Sequence, residues 1–229
     1  MTPELCIVIP VLDEAGQLAP ALARLQGFRR RGVRLVVVDG GSVDGTLATA
    51  RGLCDLALVA PRGRASQMNA GARALPATAY LFLHADTRLP DNADSLIRAA
   101  WGTGPVWGRF DVRIESRRPV LRLVSLAMNL RSRWTGIATG DQAIFVQQDA
   151  FRAVGGYPDI ALMEDVAISR ALKRLGRPAC LQQVVQPSAR RWQRHGVLKT
   201  IWLMWRLRAA YFFGADPRQL ARQYGYRPR

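Results

Sequence analysis

At 229 residues, 49% hydrophobic and 22% charged, the chain has the make-up of a globular protein with a full core, which excludes a disordered or fibrous one. Thirty-three Lys and Arg against seventeen Asp and Glu give a net charge of +16, and only two of the cations are lysines, so arginine sets the electrostatics. Residues 1–100 carry a net +2 and residues 101–229 a net +14, so the back half faces something anionic: nucleic acid, a phosphorylated substrate or an acidic membrane surface.

In chain order, LCIVIPV (5–11) is followed by an amphipathic stretch over 17–30, RLVVVD (34–39) by 42–53, LALVA (56–60) by 65–74, and AYLFLHAD (79–86) by 92–101. Short, almost wholly apolar runs separated by helices predict parallel βαβ units, an α/β fold whose ligand lies at the carboxyl ends of the strands. The pattern then changes. Val106, Gly108, Phe110, Val112 and Ile114 alternate with Trp107, Arg109, Asp111, Arg113 and Glu115, the period of a half-exposed strand. A helix is expected over 119–134, a Gly-rich approach to a strand at 143–147, a helix over 165–175, and amphipathic helix over 196–224. No repeat or linker divides the chain, so 1–229 reads as a single domain.

Cys6, Cys54 and Cys180 are far apart and show no metal-ligand spacing, which suits reduced core residues of a cytoplasmic protein. No export signal is expected, since the apolar run at 5–12 is short and broken by Pro10. The apolar stretch over 197–215 contains Lys199, Arg206 and Arg208, so it suits a helix lying on a membrane rather than crossing one.

Three segments carry chemistry. In VVVDGGSVDGT (36–46), Asp39 ends a buried strand and can accept from a base N–H or a sugar hydroxyl; equally, Ser42 or Asp44 can cap the next helix. In YLFLHADTRLP (80–90), His84 and Asp86 lie one residue apart at a strand's end and can approach one Mg²⁺ or Mn²⁺, or Asp86 can cap a turn beside a packed His84. In residues 139–176, Glu164 and Asp165 follow a Gly-Gly-Tyr-Pro turn and open a helix. A carboxylate held there can deprotonate a hydroxyl or serve only as a cap.

The order VIPVLDE (8–14), VVDGGSVDGT (37–46), GRASQMNAGA (63–72), LFLHADT (81–87), GDQAIF (140–145) and GGYPDIALMEDVAISRAL (155–172) resembles the family 2 glycosyltransferases. The resemblance covers residues 5–176. It is greatest to the short bacterial branch without transmembrane helices that includes the radical-SAM and selenodomain-associated transferases. It implies a GT-A fold: a Rossmann-like, mixed, mainly parallel sheet flanked by helices, here with a C-terminal amphipathic helical segment. Residues 1–88 would be the nucleotide-sugar half, 89–190 the acceptor half, and 191–229 a basic helical segment.

The implied activity is inverting transfer of a sugar from a nucleotide-diphospho-sugar, a UDP-sugar by expectation, to a hydroxyl acceptor. Carried over by residue, Asp39 would receive the base, Pro10 and Glu14 would shape the first nucleotide loop, and Arg64, Gln67 and Asn69 the next. Asp141 and Gln142 would join the substrate-binding set. Asp86 would hold Mn²⁺ or Mg²⁺ and Asp165 would be the general base, with Glu164 supporting it. One departure from the family pattern is His84, standing where many relatives have the first acid of Asp-x-Asp. It is a metal ligand or a diphosphate donor by expectation, with His195 the only other imidazole.

Arg190 or Arg191 would clamp the diphosphate and Trp192 would stack on the acceptor, or the segment is a solvated basic surface beside a packed Trp. The Trp- and Arg-rich stretch at 197–213 is either a docked lid or a helix on an anionic membrane surface that meets a lipid-linked acceptor, a peripheral location at the inner face of the cell membrane. A basic nucleic-acid-binding protein is the competing class. Against it, no helix-turn-helix, zinc-finger or RNA-recognition pattern is present, and no nucleic-acid partner is expected. A nucleotidyltransferase would carry a Gly-rich loop where PVLDEAG stands, and a catalytically idle relative stays open through His84.

Overall fold

In the computed structural model, which describes residues 4–226, β1 (Leu5–Val11) sends alternate side chains into two hydrophobic clusters: Ile7 and Ile9 into one, Cys6 and Val8 into the other. A strand buried on both faces needs cover on both sides. That cover comes from the helices among the elements that follow, which are in turn α1 (Ala15–Arg30), β2 (Arg34–Asp39), α2 (Thr46–Ala50), β3 (Leu56–Val59), α3 (Arg64–Ala74), β4 (Ala79–Phe82), β5 (Thr87–Arg88) and α4 (Ala93–Trp101). The second half runs β6 (Trp107–Val112), α5 (Pro119–Thr135), a 3₁₀ turn (Gly140–Gln142), β7 (Phe145–Gln147), α6 (Gln148–Ala153), α7 (Glu164–Leu172), β8 (Ala179–Pro187), α8 (Arg190–His195), α9 (Val197–Phe212) and α10 (Pro217–Tyr224).

The strands form one sheet in the order β3-β2-β1-β4-β7-β6-β8-β5. Neighbours from β3 to β4 pair in parallel, as do β6 and β8, whereas β7 is antiparallel to β4 and β6, and β5 to β8. The chain moves outward from β1 through β2 to β3, then returns to the other side of β1 as β4. Such a reversal opens a crevice at the carboxyl ends of the two strands, where Pro10 and His84–Asp86 lie. Helix α3 rests directly on the sheet: a Cβ at Gly71 would come 2.5 Å from Val8 Cγ1 and 2.9 Å from Val38 Cγ2.

Four expectations need correction. The helix over 42–53 shrinks to α2, because residues 40–45 form a turn in which Asp39 Oδ1 accepts from the Gly41 and Ser42 amides. The strand over 106–115 is not half-exposed: β6 lies inside the sheet between β7 and β8, and its polar positions are internal. Trp107 is buried with Nε1 donating to the Gly176 carbonyl at 2.9 Å, and the fully buried Arg109 pairs with Asp111, which also accepts from Arg133 Nη2 at 2.6 Å. The strand β8 has no counterpart among the expected elements, since ACLQQVVQP has no clean apolar alternation. The helix over 196–224 is divided at Gly214, whose φ is +88°, and Asp216 starts α10 by accepting from the Arg218 amide at 2.9 Å, with Pro217 in its first turn.

Helices α9 and α10 pack Leu207, Leu220 and Ala221 onto Leu162, Met163 and Val166, so the basic C-terminal segment covers the approach to α7. The three cysteines are free thiols, Cys6 and Cys54 buried and Cys180 partly so. Among the described residues no helix is long and apolar enough to cross a membrane.

Candidate functional site

A polar cleft of about 330 Å³ opens at the switch between β1 and β4. Pro10 and Glu14 line it from the end of β1, Arg64 and Gln67 from α3, His84 and Asp86 from the end of β4, and Asp141, Arg191, Trp192 and Tyr224 from the second half. Arg64 is the first residue of α3. The residue stays in part exposed to solvent; the protein around its guanidinium opposes the charge, but Glu164, Tyr224, Asp141 and Asp165 outweigh that penalty and hold its pKa above the ordinary arginine range.

Asp86 carries its carboxylate, 34% exposed, 3.9 Å from Arg190 Nη2, which also stands 3.7 Å from Glu14 Oε2. Burial raises the pKa of Glu14; Arg190 opposes that shift, while Asp86 and Asp44 add to it. His84 is turned elsewhere. Its Nδ1 is 3.3 Å from Asp141 Oδ1, and its Cε1–Nε2 edge packs on Gly140, where a Cβ would come within 2.6 Å of Cε1. Partial loss of water works against the half-exposed Asp141 carboxylate, yet His84, Arg64 and Arg191 together bring its pKa below the usual range.

Among the described residues no three His, Cys, Asp or Glu side chains converge into a set able to hold a metal. A hard cation bound mainly through phosphate oxygens needs only one or two carboxylates from the protein. The Asp86 carboxylate in this cleft fits that role, whereas both imidazole nitrogens of His84 are already engaged by Asp141 or packed on Gly140. His195, at the end of α8, shares an outer depression with Asp86, Arg190 and Arg191.

Three expected site residues do not line the cleft. Asp39 is 1% exposed, and its Oδ1 accepts from the Gly41 and Ser42 amides and the Ser42 hydroxyl at 2.7–3.0 Å. Asn69 faces the other side of α3: its Nδ2 donates to the Tyr157 carbonyl at 2.7 Å and its Oδ1 accepts from the Tyr157 amide at 2.9 Å. Gln142 is buried behind the 3₁₀ turn, where its Oε1 accepts from the Thr139 amide at 3.2 Å. Gln67 reaches the cleft, but its Nε2 donates to the Val11 and Val38 carbonyls at 2.8 and 2.7 Å, stapling β1 to β2.

A second cavity of about 540 Å³ adjoins the first and shares Arg64, His84, Asp141, Trp192 and Tyr224 with it. Glu164 and Asp165 line this second space. The chain reaches them through Gly155 and Gly156 at φ +77° and +76°, the Tyr157 backbone clamped by Asn69, and Met163 in a left-handed conformation at φ +69°. Left-handed backbone at a non-glycine residue is strained, and such strain concentrates at functional sites. Asp165 is fixed by the amides of Gly140 and Val166, which donate to Oδ2 at 2.9 Å and Oδ1 at 2.7 Å. Glu164 is 5% exposed, and burial and the neighbouring Asp165 push its pKa up to about 7.

The profile of the family described as Glycosyl transferase family 2 matches residues 6–150. The chain belongs to glycosyl transferase family 2. The chain is similar in structure to the Pyrobaculum calidifontis mannosyltransferase PcManGT, solved in complex with GDP-Man and Mn²⁺, with a TM-score of 0.64 at 21% identity over 99% of this chain and 70% of that one. Against S. aureus TarS 1–349 in complex with UDP-GlcNAc the TM-score is 0.65 at 15% identity, over 81% of this chain and 58% of the other. Glucosyl-3-phosphoglycerate synthase from Mycobacterium tuberculosis, in complex with Mn²⁺, UDP and glucosyl-3-phosphoglycerate, gives 0.56 at 16%, over 81% and 70%. The chain therefore spans 58–70% of the length of these relatives. The likeness establishes the GT-A fold. No curated protein matches the sequence.

The family match ends before Glu164 and Asp165, so only the tertiary structure joins that pair to the cleft of the matched segment. Sequence reasoning missed Tyr224, which lines both cavities, and Arg131 of α5, which lines the second. Neither carries a local signal: each is one polar position on an amphipathic helix.

Proposed function

We propose that this family 2 glycosyltransferase moves a sugar from a UDP-sugar to a hydroxyl acceptor with inversion at the anomeric carbon. The observation that carries the reading is the shared wall. The polar cleft holding Asp86 and the cavity holding Asp165 meet at Arg64, His84, Asp141, Trp192 and Tyr224, so the carboxylates read here as cation ligand and base flank one junction. The division of labour does not follow the linear order, since Asp141, Arg191 and Tyr224 all line the cleft assigned here to the donor.

Departure of a nucleoside diphosphate builds negative charge on the leaving phosphate, and groups that meet that charge lower the barrier. Arg64, Arg190 and Arg191 are the cations poised for it. Asp86 would hold a Mn²⁺ or Mg²⁺ ion, which supplies further neutralisation of the diphosphate when bound. His84 orients Asp141, and Glu14 completes the acidic side around Arg190. Across the junction, Asp165 takes the proton of the acceptor hydroxyl as its oxygen attacks the anomeric carbon, and Glu164 sets the local charge. One base and one displacement give inversion. UDP is the nucleotide in two of the three similar structures and GDP in the third.

The test is nucleoside diphosphate release from a panel of UDP- and GDP-sugars with and without Mn²⁺, with product anomers read by NMR. Asp165→Asn is expected to lower turnover by about 10²–10⁴-fold while nucleotide binding persists, and Asp86→Ala to abolish the metal dependence. Wild-type turnover in either variant removes that residue from its role. Retained anomeric configuration, or a preference for GDP-sugars, overturns the corresponding part of the reading, and a folded protein that turns over no donor is an idle relative.

A further inference from the structure

The cavity beside Glu164 and Asp165 has a chemistry that a nucleotide sugar does not call for. Beyond the junction and the charged Arg131, Glu164, Asp165 and Arg208, most of its wall is apolar and comes chiefly from two helices. Val120, Val124, Ala127 and Met128 recur at helical spacing along α5, and Ile201, Met204 and Trp205 do so along α9. The apolar character continues outward. Of the thirteen large apolar side chains exposed among the described residues, nine lie on α5 and α9, among them Leu123 at 66% and Trp205 at 73%. Neither helix contains an acid, whereas α5 carries Arg122, Arg131 and Arg133, and α9 carries Lys199, Arg206 and Arg208. Exposed Trp, Leu and Phe interspersed with cations suit the interface of an anionic bilayer.

Arg131 lines the cavity with a guanidinium whose Nε and Nη2 are buried and have no hydrogen-bond partner among the described residues. A desolvated cation of this kind calls for an anion. Among the described residues, Asp165 is the acid that acts on its charge.

We propose that the acceptor is an anionic lipid with a free hydroxyl on its head group, drawn from a membrane on which α5 and α9 lie. Its head group enters beside Arg131 and Asp165, and its chain follows the apolar groove between the two helices. The proposal rests on the reading of Asp165 as the acceptor side. In the reaction the bond from the anomeric carbon to the diphosphate oxygen breaks, with its electron pair leaving on the diphosphate. The lipid oxygen forms the new bond, and its proton passes to Asp165.

The experiment has three readouts on the same protein. Co-sedimentation compares vesicles of phosphatidylcholine alone with vesicles containing about 30% phosphatidylglycerol. Quenching of tryptophan by a brominated lysophosphatidylglycerol reports on the groove, which Trp192 and Trp205 line. Calorimetry with UDP and Mn²⁺ reports on the donor cleft. Association is expected to be at least about tenfold stronger with the anionic vesicles and to fall about tenfold in Lys199→Glu/Arg206→Glu, two surface changes outside the cleft. Ala127→Phe fills the groove from an exposed position without adding a fluorophore and is expected to lower quenching by the lysolipid while UDP binding stays unchanged.

Equal association with neutral and anionic vesicles, or undiminished lysolipid quenching in Ala127→Phe, overturns the proposal. So does efficient transfer to a soluble sugar or peptide that lipid does not inhibit. UDP binding without lipid binding leaves the donor reading standing and removes this one. Lipid binding without UDP or GDP binding overturns the donor reading and with it the acceptor role.

Discussion

Replacing Glu164 by Gln is expected to stabilise the fold, and to do so more strongly as pH rises. Burial at the start of α7 and the charge on Asp165 move the Glu164 carboxyl from an ordinary 4.5 to about 7. The folded chain therefore prefers the protonated form. The stability that protonation confers is fully present below the unfolded value and is lost as pH rises through about 7. At about pH 8 the ionised side chain costs the folded state about 3 kcal/mol, since each tenfold change in proton affinity between the folded and unfolded chain is worth about 1.4 kcal/mol. Gln keeps the shape of the protonated acid and removes that cost. At about pH 5 the difference shrinks to below about 1 kcal/mol, because Glu164 is protonated in the folded chain and partly so in the unfolded one. Urea denaturation of both proteins across this range, without added divalent cation, measures it directly. In thermal scans the variant should melt on the order of 10 °C higher at about pH 8, taking about 2–4 °C per kcal/mol for a chain of this size. A pH-independent difference, or a variant less stable at alkaline pH, would refute the account of Glu164 as a carboxyl held out of water beside a second acid.

Three further changes test how the cleft is built. Gly71→Ala places a methyl 2.5 Å from Val8 Cγ1 and should lift α3 from the sheet, lowering stability by about 1–3 kcal/mol in chemical denaturation; an unchanged midpoint would mean that α3 does not rest there. Gly140→Ala drives a methyl into the His84 ring, 2.6 Å from Cε1, and should weaken UDP binding measured by calorimetry as Asp141 loses its partner. Asn69→Ala leaves the Tyr157 amide and carbonyl without the side chain that pairs them, a loss of about 2 kcal/mol or more. Turnover should fall as well, because the turn leading to Glu164 and Asp165 loosens, although Asn69 lies outside both cavities.

The first half of the fold was legible in the linear order of residues. Strands such as RLVVVD, buried on both faces, are largely apolar, and four such runs with helices between them mark parallel βαβ units, whereas the reversal from β3 back to β4 is seen only in the folded sheet. The acids at strand and helix ends were equally visible, since Asp86 and the Glu164–Asp165 pair sit where a run of apolar residues stops. The motifs together also sufficed for the family. From β6 onward the local pattern misled, because a charge inside a sheet looks in sequence like a charge facing water. Arg109 alternates like a surface residue, and only its pairing with Asp111 inside the sheet shows that it is buried.

The same limit applies to the site. Asn69 and Gln67 stand two residues apart on one helix, and α-helical geometry sends them to opposite sides, one to the Tyr157 turn and the other to the cleft. Residue types at the ends of strands and helices set out which chemistry was available to this chain. Which groups meet was decided by packing over long separations in sequence, as when the Gly140 amide reaches Asp165 and the Arg191 guanidinium stacks over the Tyr224 ring. Periodicity reports a residue's relation to its own helix or strand, whereas a catalytic junction is made of relations between elements, and those exist only once the core has formed.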